Sequence, residues 1–364
     1  MALQSADSTL SAGPDVMERD NVEQLFSLWD MERELGDLSA GERVQRLVRV
    51  MARSIELSFS WEGWLKLRET AGYARLLRAL WTQHGPHWIA NRDAPFSFVT
   101  LNYDLALESE WHTFLWTTDR LRAAYYQEEY SRRFIYLDDE RALKVAAIIE
   151  ETGAKPRTPL ARYSLLGRDL EDPGALYPRI LKLHGSINWG ICPTCGNIRV
   201  FESHSGARES GPRVLGRLLS EPCQWHPETR SRANGGMLEL KSFRYQPLLV
   251  PPTLGKMGQC STLRDLWRQA ADEVALSSKL VFIGYSLPDT DVHIRYLLAA
   301  GLSRRELPDV MVVNSHSTQD GNYGERSIKS RYERALSITF NGRHEYVNDT
   351  FTNSIGRIMQ FLQS

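Results

Sequence analysis

"KLVFIGYSLPDTDVHIRYLLAAGL", residues 279–302, carries a strand, a polar loop and a helix in one stretch. The apolar run Lys279–Ile283 stops at Gly284, a proline and several acidic residues follow, and apolar positions then return at helical spacing. Its neighbours repeat the pattern. A helix is predicted over "STLRDLWRQAADEVALSS" (261–278), a strand over "DVMVVNS" (309–315), a helix around 325–336, a strand over "SITFN" (337–341) and a terminal helix. Apolar strands alternating with helices predict an α/β fold whose sheet is mostly parallel and covered on both faces.

Further upstream, "APFSFVTLNYD" (94–104) reads as a strand ending in polar residues, followed by the helical segment "LALESEWHTFLW" (105–116), and "RILKLHG" (179–185) reads as a second strand. In parallel sheets ligands bind beyond the carboxyl ends of the strands. The residues to inspect are therefore Asn102-Tyr103-Asp104, His184-Gly185-Ser186, Gly284-Tyr285-Ser286 and Asn314-Ser315. "QPLLVPPT" (246–253) resumes strand character after a loop-rich stretch, and one further helix is read around 138–152.

Residues 1–19 are rich in Ser, Asp, Gly and Pro and read as a flexible start. Asp20-Asn21-Val22-Glu23 offers a capping box, with Val22, Leu25, Phe26 and Trp29 at helical spacing behind it. Val44, Leu47, Val48 and Met51 form a second stripe and "WEGWLKLRETAGYARLLRALW" (61–81) a third, so residues 20–94 read as a helical block.

The chain has 364 residues and a formal net charge of -1, so no basic excess draws it to nucleic acid or to an anionic membrane. No apolar run approaches the roughly 18 residues that span a bilayer, and the first twenty residues lack a signal-peptide pattern. Both observations place the protein in the cytoplasm. Three of the four cysteines fall in one short region, which in a reducing compartment points to metal. Cys192-x-x-Cys195 and Cys223-x-x-His226 repeat one spacing and together supply four donors for tetrahedral zinc. With all four positions taken by protein, such a site is structural. The alternative is two surface cysteines and a chance Cys-Gln-Trp-His. Cys260 has no partner in sequence and reads as a free packing thiol.

Taken in order, Thr100-Leu101-Asn102-Tyr103-Asp104, His184-Gly185, the cysteine module, Gly284-Tyr285-Ser286 and Asn314 resemble the motifs of the sirtuin family. The wording "TLNYD", "KLHGSINW", "LLVPPT" and "IGYSLPDTD" looks more like the bacterial sirtuin-like proteins, many of which hydrolyse NAD+ in anti-phage defence, than like protein deacetylases. The resemblance spans residues 95–320. It implies a Rossmann-like domain formed by 95–189 and 246–364, with a small zinc-binding insertion at 190–245. It further implies NAD+ as substrate, structural Zn2+, and a homo-oligomer or an activator protein of the defence system as partner.

Within that resemblance His184 acts as base and Asn102 holds the ribose and the attacking water. Asp104 meets the nicotinamide carboxamide, Thr100 belongs to the same cofactor-binding loop, and Gly284, Ser286 and Asn314 line the adenosine side. The side chains suit these tasks, because an imidazole titrates near neutrality and an amide both donates and accepts. Two departures stand out. No stretch matches the Gly-Ala-Gly-x-Ser loop that holds the dinucleotide phosphates in sirtuins, so the sequence is expected to begin inside the helical block that follows that loop, or the site has decayed into a nucleotide-binding scaffold. His226 also stands where the family has cysteine.

Structural readings run beside the functional ones. His184 suits a strand cap bonded to backbone, and Asp104 suits a helix cap. Ser286, Asp291 and His293 occur in hydrolase order, but Pro288 stands where a nucleophile elbow needs glycine. Deacylation of a protein substrate would require an acyl-lysine cleft for which the sequence offers no sign.

Overall fold

The computed structural model describes residues 27–29, 31–32, 35–36, 38–58, 72–91, 95–108, 110, 179–196, 198–201, 214–223, 244–250, 263–289, 291–303, 307–315, 327–340 and 342–364. The expected capping box at 20–23, the helix around 138–152, Cys260 and His226 lie outside these residues.

The elements follow in the order α1 (Leu38–Ser58), α2 (Gly72–Asn91), β1 (Ser97–Thr100), β2 (Arg179–Lys182), β3 (Gly185–Ile191), β4 (Ile198–Val200), α3 (Val214–Ser220), β5 (Gln246–Leu249), α4 (Arg264–Leu276), β6 (Lys279–Ile283), α5 (Val292–Leu302), β7 (Asp309–Val313), α6 (Ile328–Leu336), β8 (His344–Val347) and α7 (Phe351–Gln363). The described strands form two parallel sheets, β1-β2 and β6-β7-β8, and one antiparallel sheet in the order β4-β3-β5.

The β6-β7-β8 sheet is covered on both faces, as alternating strands and helices predict. Val310 and Val312 of β7 pack with Leu266, Ala270 and Val274 of α4, Ile294, Leu297 and Leu298 of α5, and Tyr332 and Leu336 of α6. Met311 and Val313, pointing the other way, pack with Leu76 and Leu80 of α2 and Ile358 and Phe361 of α7. The period of two along β7 thus feeds two helical layers from one strand. The same layers reach the other parallel sheet. Leu181 and Leu183 join the first cluster, and Phe96 and Phe98 pack against the second. Helix α1 buries Val44, Leu47, Val48 and Ala52 against Ile187 and Leu249 of the antiparallel sheet. Glu56 of α1, buried, accepts the backbone N–H of Leu215 at the start of α3 at 2.8 Å, giving that helix a cap from a distant element.

One expectation is corrected. Residues 337–340 of "SITFN" do not form a strand. Ser337 closes α6 in a left-handed conformation with φ 53°, and the Ile338 N–H returns to Glu333 O at 3.0 Å. This helix-ending turn spends the β-branched Ile338 on packing, and the strand that pairs with β7 is β8, further along. The opening of "QPLLVPPT" forms β5, as its strand character predicts, and β5 runs antiparallel to β3. That partner, "GSINWGI", is a buried strand that the sequence analysis did not assign. Among the described residues no helix is long and apolar enough to cross a membrane.

Candidate functional site

Strands β1 and β2 run side by side in parallel with Thr100 opposite Lys182, so their carboxyl ends deliver the Asn102 loop and the His184 turn to the same edge. Backbone bonds lock the two segments together. Leu183 N–H donates to Thr100 O at 3.0 Å and Ile187 N–H donates to Tyr103 O at 3.0 Å. Within the first loop, the Thr100 hydroxyl oxygen accepts the Asn102 N–H at 3.1 Å, and Asp104 Oδ1 accepts the Ala106 N–H at 2.9 Å. Asp104 therefore caps the helical turn that follows, and its second carboxylate oxygen is not used in that cap. Asn102 itself is exposed.

Beneath this loop lies Lys182, 3% exposed. Its ammonium group donates to the Asp104 carbonyl and pairs with Glu108 Oε1 at 2.8 Å. A buried ammonium needs such a partner to offset its desolvation. These two contacts tie β2 to both ends of the Asp104–Glu108 segment.

His184 sits on the two-residue turn between β2 and β3 and is buried. Its ring is near those of Tyr103, at a centroid distance of 6.1 Å, and Trp267 of α4, at 6.3 Å. Trp267 Nε1–H donates to Leu183 O at 3.1 Å, and His184 O accepts the Val250 N–H at 2.8 Å. The Tyr103 hydroxyl in turn donates to Val250 O at 2.6 Å. Burial pushes the Tyr103 hydroxyl pKa well up, with the Asp291 carboxylate adding to the effect, so it remains a donor. Gly185 allows the turn, since its φ of 81° is a left-handed value and a Cβ there would meet Leu248 O at 2.1 Å.

A second loop follows β6. Gly284 takes φ 69° and its N–H donates to Val313 O at 2.9 Å. Leu287, fully buried, has φ 47°, a strained value for a branched residue. Ser286 O accepts from Arg331 Nε at 3.0 Å, and the Tyr285 hydroxyl donates to the buried Asp291 Oδ2 at 2.7 Å. Asn314 follows β7, and its N–H donates to Val347 O at 3.0 Å. His293 lies 6.4 Å from Trp267 between ring centroids, so α4 relates the His184 turn to the start of α5.

The cysteine module forms a separate cluster. The sulfurs of Cys192, Cys195 and Cys223 all lie within 4.8 Å of one another, and Cys195 Sγ is 3.6 Å from Cys223 Sγ. Tetrahedral zinc with Zn–S bonds of about 2.3 Å places its thiolates about 3.8 Å apart, so the donor set fits that ion. Gly196 takes φ 69° and its N–H donates to Cys192 O at 2.9 Å, closing the knuckle. Burial pushes the Cys192 thiol up, but the backbone amides of Cys195 and Thr194 and the two neighbouring sulfurs outweigh it and hold its pKa below the ordinary value.

Comparison with solved structures finds sirtuins. Sir2Tm bound to a propionylated peptide is 12% identical with a TM-score of 0.27, over 59% of this chain and 67% of that one. A structure addressing sirtuin substrate affinity is 10% identical with a TM-score of 0.28, over 76% of this chain and 97% of that one. A Sir2 complex with p53 peptide and NAD+ is 12% identical with a TM-score of 0.25, over 76% and 88%. No family model matches the sequence, and no curated protein is significantly similar to it. Superpositions at this level do not place one chain's residues on the other's.

Of the residues singled out in sequence, Thr100, Asn102, Asp104 and His184 emerge at adjoining strand ends, and Gly284, Ser286 and Asn314 at the ends of β6 and β7. Lys182 and Trp267 were missed, and Tyr103 was singled out only as part of its loop, with no role of its own. Lys182 reads as an ordinary interruption in an apolar strand, and Trp267 as one core position of an amphipathic helix. Only the lysine left a signal, a charge flanked by Leu181 and Leu183 in a run otherwise fit for burial.

Proposed function

We propose that the protein cleaves NAD+ at the bond between nicotinamide and ribose, releasing nicotinamide and ADP-ribose, in the anti-phage setting that its motif wording resembles. What supports the reading is that an exposed Asn102 and a buried His184 with Tyr103 and Trp267 near its ring follow the ends of two neighbouring parallel strands. Residues 95–189 and 246–364 then constitute the nucleotide-binding domain, and 190–245 the zinc-binding insertion.

Nicotinamide leaves from a pyridinium as a neutral molecule, so the C1′–N bond breaks with its electron pair going to the ring and no general acid is required. The remaining demands are a stabilised ribose cation and a delivered water. Asn102 orients that water and the ribose, and His184 takes its proton as oxygen bonds to C1′. Asp104 accepts from the carboxamide NH2 through the oxygen left over from its cap. Gly284, Ser286 and Asn314 receive the adenosine side, where a residue without a side chain permits close backbone approach. Structural zinc held by Cys192, Cys195, Cys223 and His226 braces the lobe next to the His184 turn, and takes no part in the chemistry.

Incubation with NAD+ and measurement of nicotinamide release tests the proposal. Wild-type protein is expected to release nicotinamide, and His184→Ala and Asn102→Ala to lose it at least 10²-fold, the span of a lost general base. Equal release by all three proteins refutes the site assignment. Binding of NAD+ without release favours the scaffold reading that the unmatched phosphate loop suggests, and release that requires an acetyl-lysine peptide identifies a deacylase.

A further inference from the structure

Tyr245 stands immediately before β5 and is 1% exposed. Its ring packs edge-on against Phe201 with centroids 5.4 Å apart, and Phe201 lies under the guanidinium of Arg199, which pairs with Glu221 at 2.7 Å. Leu218 and Val214 complete the wall around it. The ring is thus fixed in place by packing on several sides. Its hydroxyl bonds to no nitrogen or oxygen among the described residues, and the group it lies against is the Cys223 sulfur, with the Arg199 guanidinium and Cys192 further off.

A buried hydroxyl left without an acceptor costs about 1–3 kcal/mol. A neutral thiol is a poor acceptor, whereas a thiolate is a strong one. The sulfur beside the hydroxyl is therefore a weak acceptor in the metal-free cluster and a strong one when Cys223 holds a cation as its thiolate. We propose that Tyr245 is a positioning residue of the metal cluster, its hydroxyl donating a hydrogen bond to the metal-bound thiolate of Cys223. This rests on the zinc reading of the cysteine cluster.

The bond has a structural consequence, because Tyr245 leads into β5. At the far end of that strand Val250 N–H holds His184 O and Val250 O holds the Tyr103 hydroxyl. One strand joins the cluster to the His184 turn, so an ion bound at one end fixes the strand whose other end shapes the turn.

Tyr245→Phe separates this role from packing, since the ring is retained. In metal-free protein the substitution removes a weakly bonded hydroxyl, and the melting temperature is expected to stay level or rise. In zinc-loaded protein it removes a hydrogen bond, and the melting temperature is expected to fall. Zinc transfer to a chelator should be roughly 10–100-fold faster than in wild type, the usual effect of losing an outer partner of a ligand. With cobalt in place of zinc, the sulfur-to-cobalt absorption should shift. Identical zinc release and cobalt spectra in the two proteins overturn the proposal. Wild-type protein that takes up neither metal overturns the zinc reading itself, and metal analysis of wild type alone reveals that failure.

Discussion

Replacing Gly185 by alanine tests whether the turn beside His184 is built as described. A Cβ at this position would lie 2.1 Å from Leu248 O and 3.0 Å from Leu248 C, both backbone atoms of β5. No rotamer change relieves such a contact, so β5 must move away by about 1 Å to restore ordinary packing. The alanine would also hold φ near 81°, in the left-handed region, at a cost of about 1–2 kcal/mol. Forcing a methyl into a filled site adds about 1–3 kcal/mol, and stretching the 2.8 Å bond from Val250 N–H to His184 O removes about 0.5–1.5 kcal/mol more. Together these amount to about 3–6 kcal/mol. Thermal and urea unfolding followed by tryptophan fluorescence reads the loss, and nicotinamide release reads the displaced turn. Gly342→Ala is the matched control, since Gly342 also has positive φ, at 100°, but nothing within 4 Å of its Cβ. Its cost should stay near the backbone value of about 1–2 kcal/mol. A Gly185→Ala protein no less stable than the Gly342→Ala protein would refute the reasoning.

Lys182→Met leaves the partly buried Glu108, 12% exposed, without its partner and should destabilise the protein by up to about 3 kcal/mol, measured by unfolding, while Lys182→Met with Glu108→Leu should recover part of the loss. Cys195→Ser should lower the zinc content below the one ion per chain expected of wild type by metal analysis, with a lower melting temperature. His344 Nδ1 accepts the Val310 N–H at 3.3 Å, and burial lowers the imidazole pKa, with Arg343 reinforcing the effect and Asp309 opposing it. The unfolded state then binds more protons over the window below about 6.5, so stability is full above that pH and is lost as pH falls through the window. Melting temperatures measured across that range should show the loss, and His344→Gln should flatten it.

Much of the parallel architecture was legible in the sequence, because strands such as "DVMVV" alternate with helices whose apolar faces repeat at helical spacing. The polar strand ends were legible for a related reason. Polar and small residues that end an apolar run, such as Asn102 and His184-Gly185, stand out against it. The "SITFN" stretch misled because Ile338 and Phe340 have strand propensity, while the left-handed turn at Ser337 depends on how α6 ends.

By itself the sequence determined the alternation of elements, the polar strand ends and the paired cysteine spacing, since each is a local pattern along the chain. Only the tertiary structure decided that β5 pairs antiparallel with β3, that Lys182 is buried beneath the Asn102 loop with Glu108, that Trp267 walls His184, and that the Tyr245 hydroxyl faces the Cys223 sulfur. Those contacts join residues from 22 to 83 positions apart, and local propensity carries no information about which distant groups share one low-dielectric space.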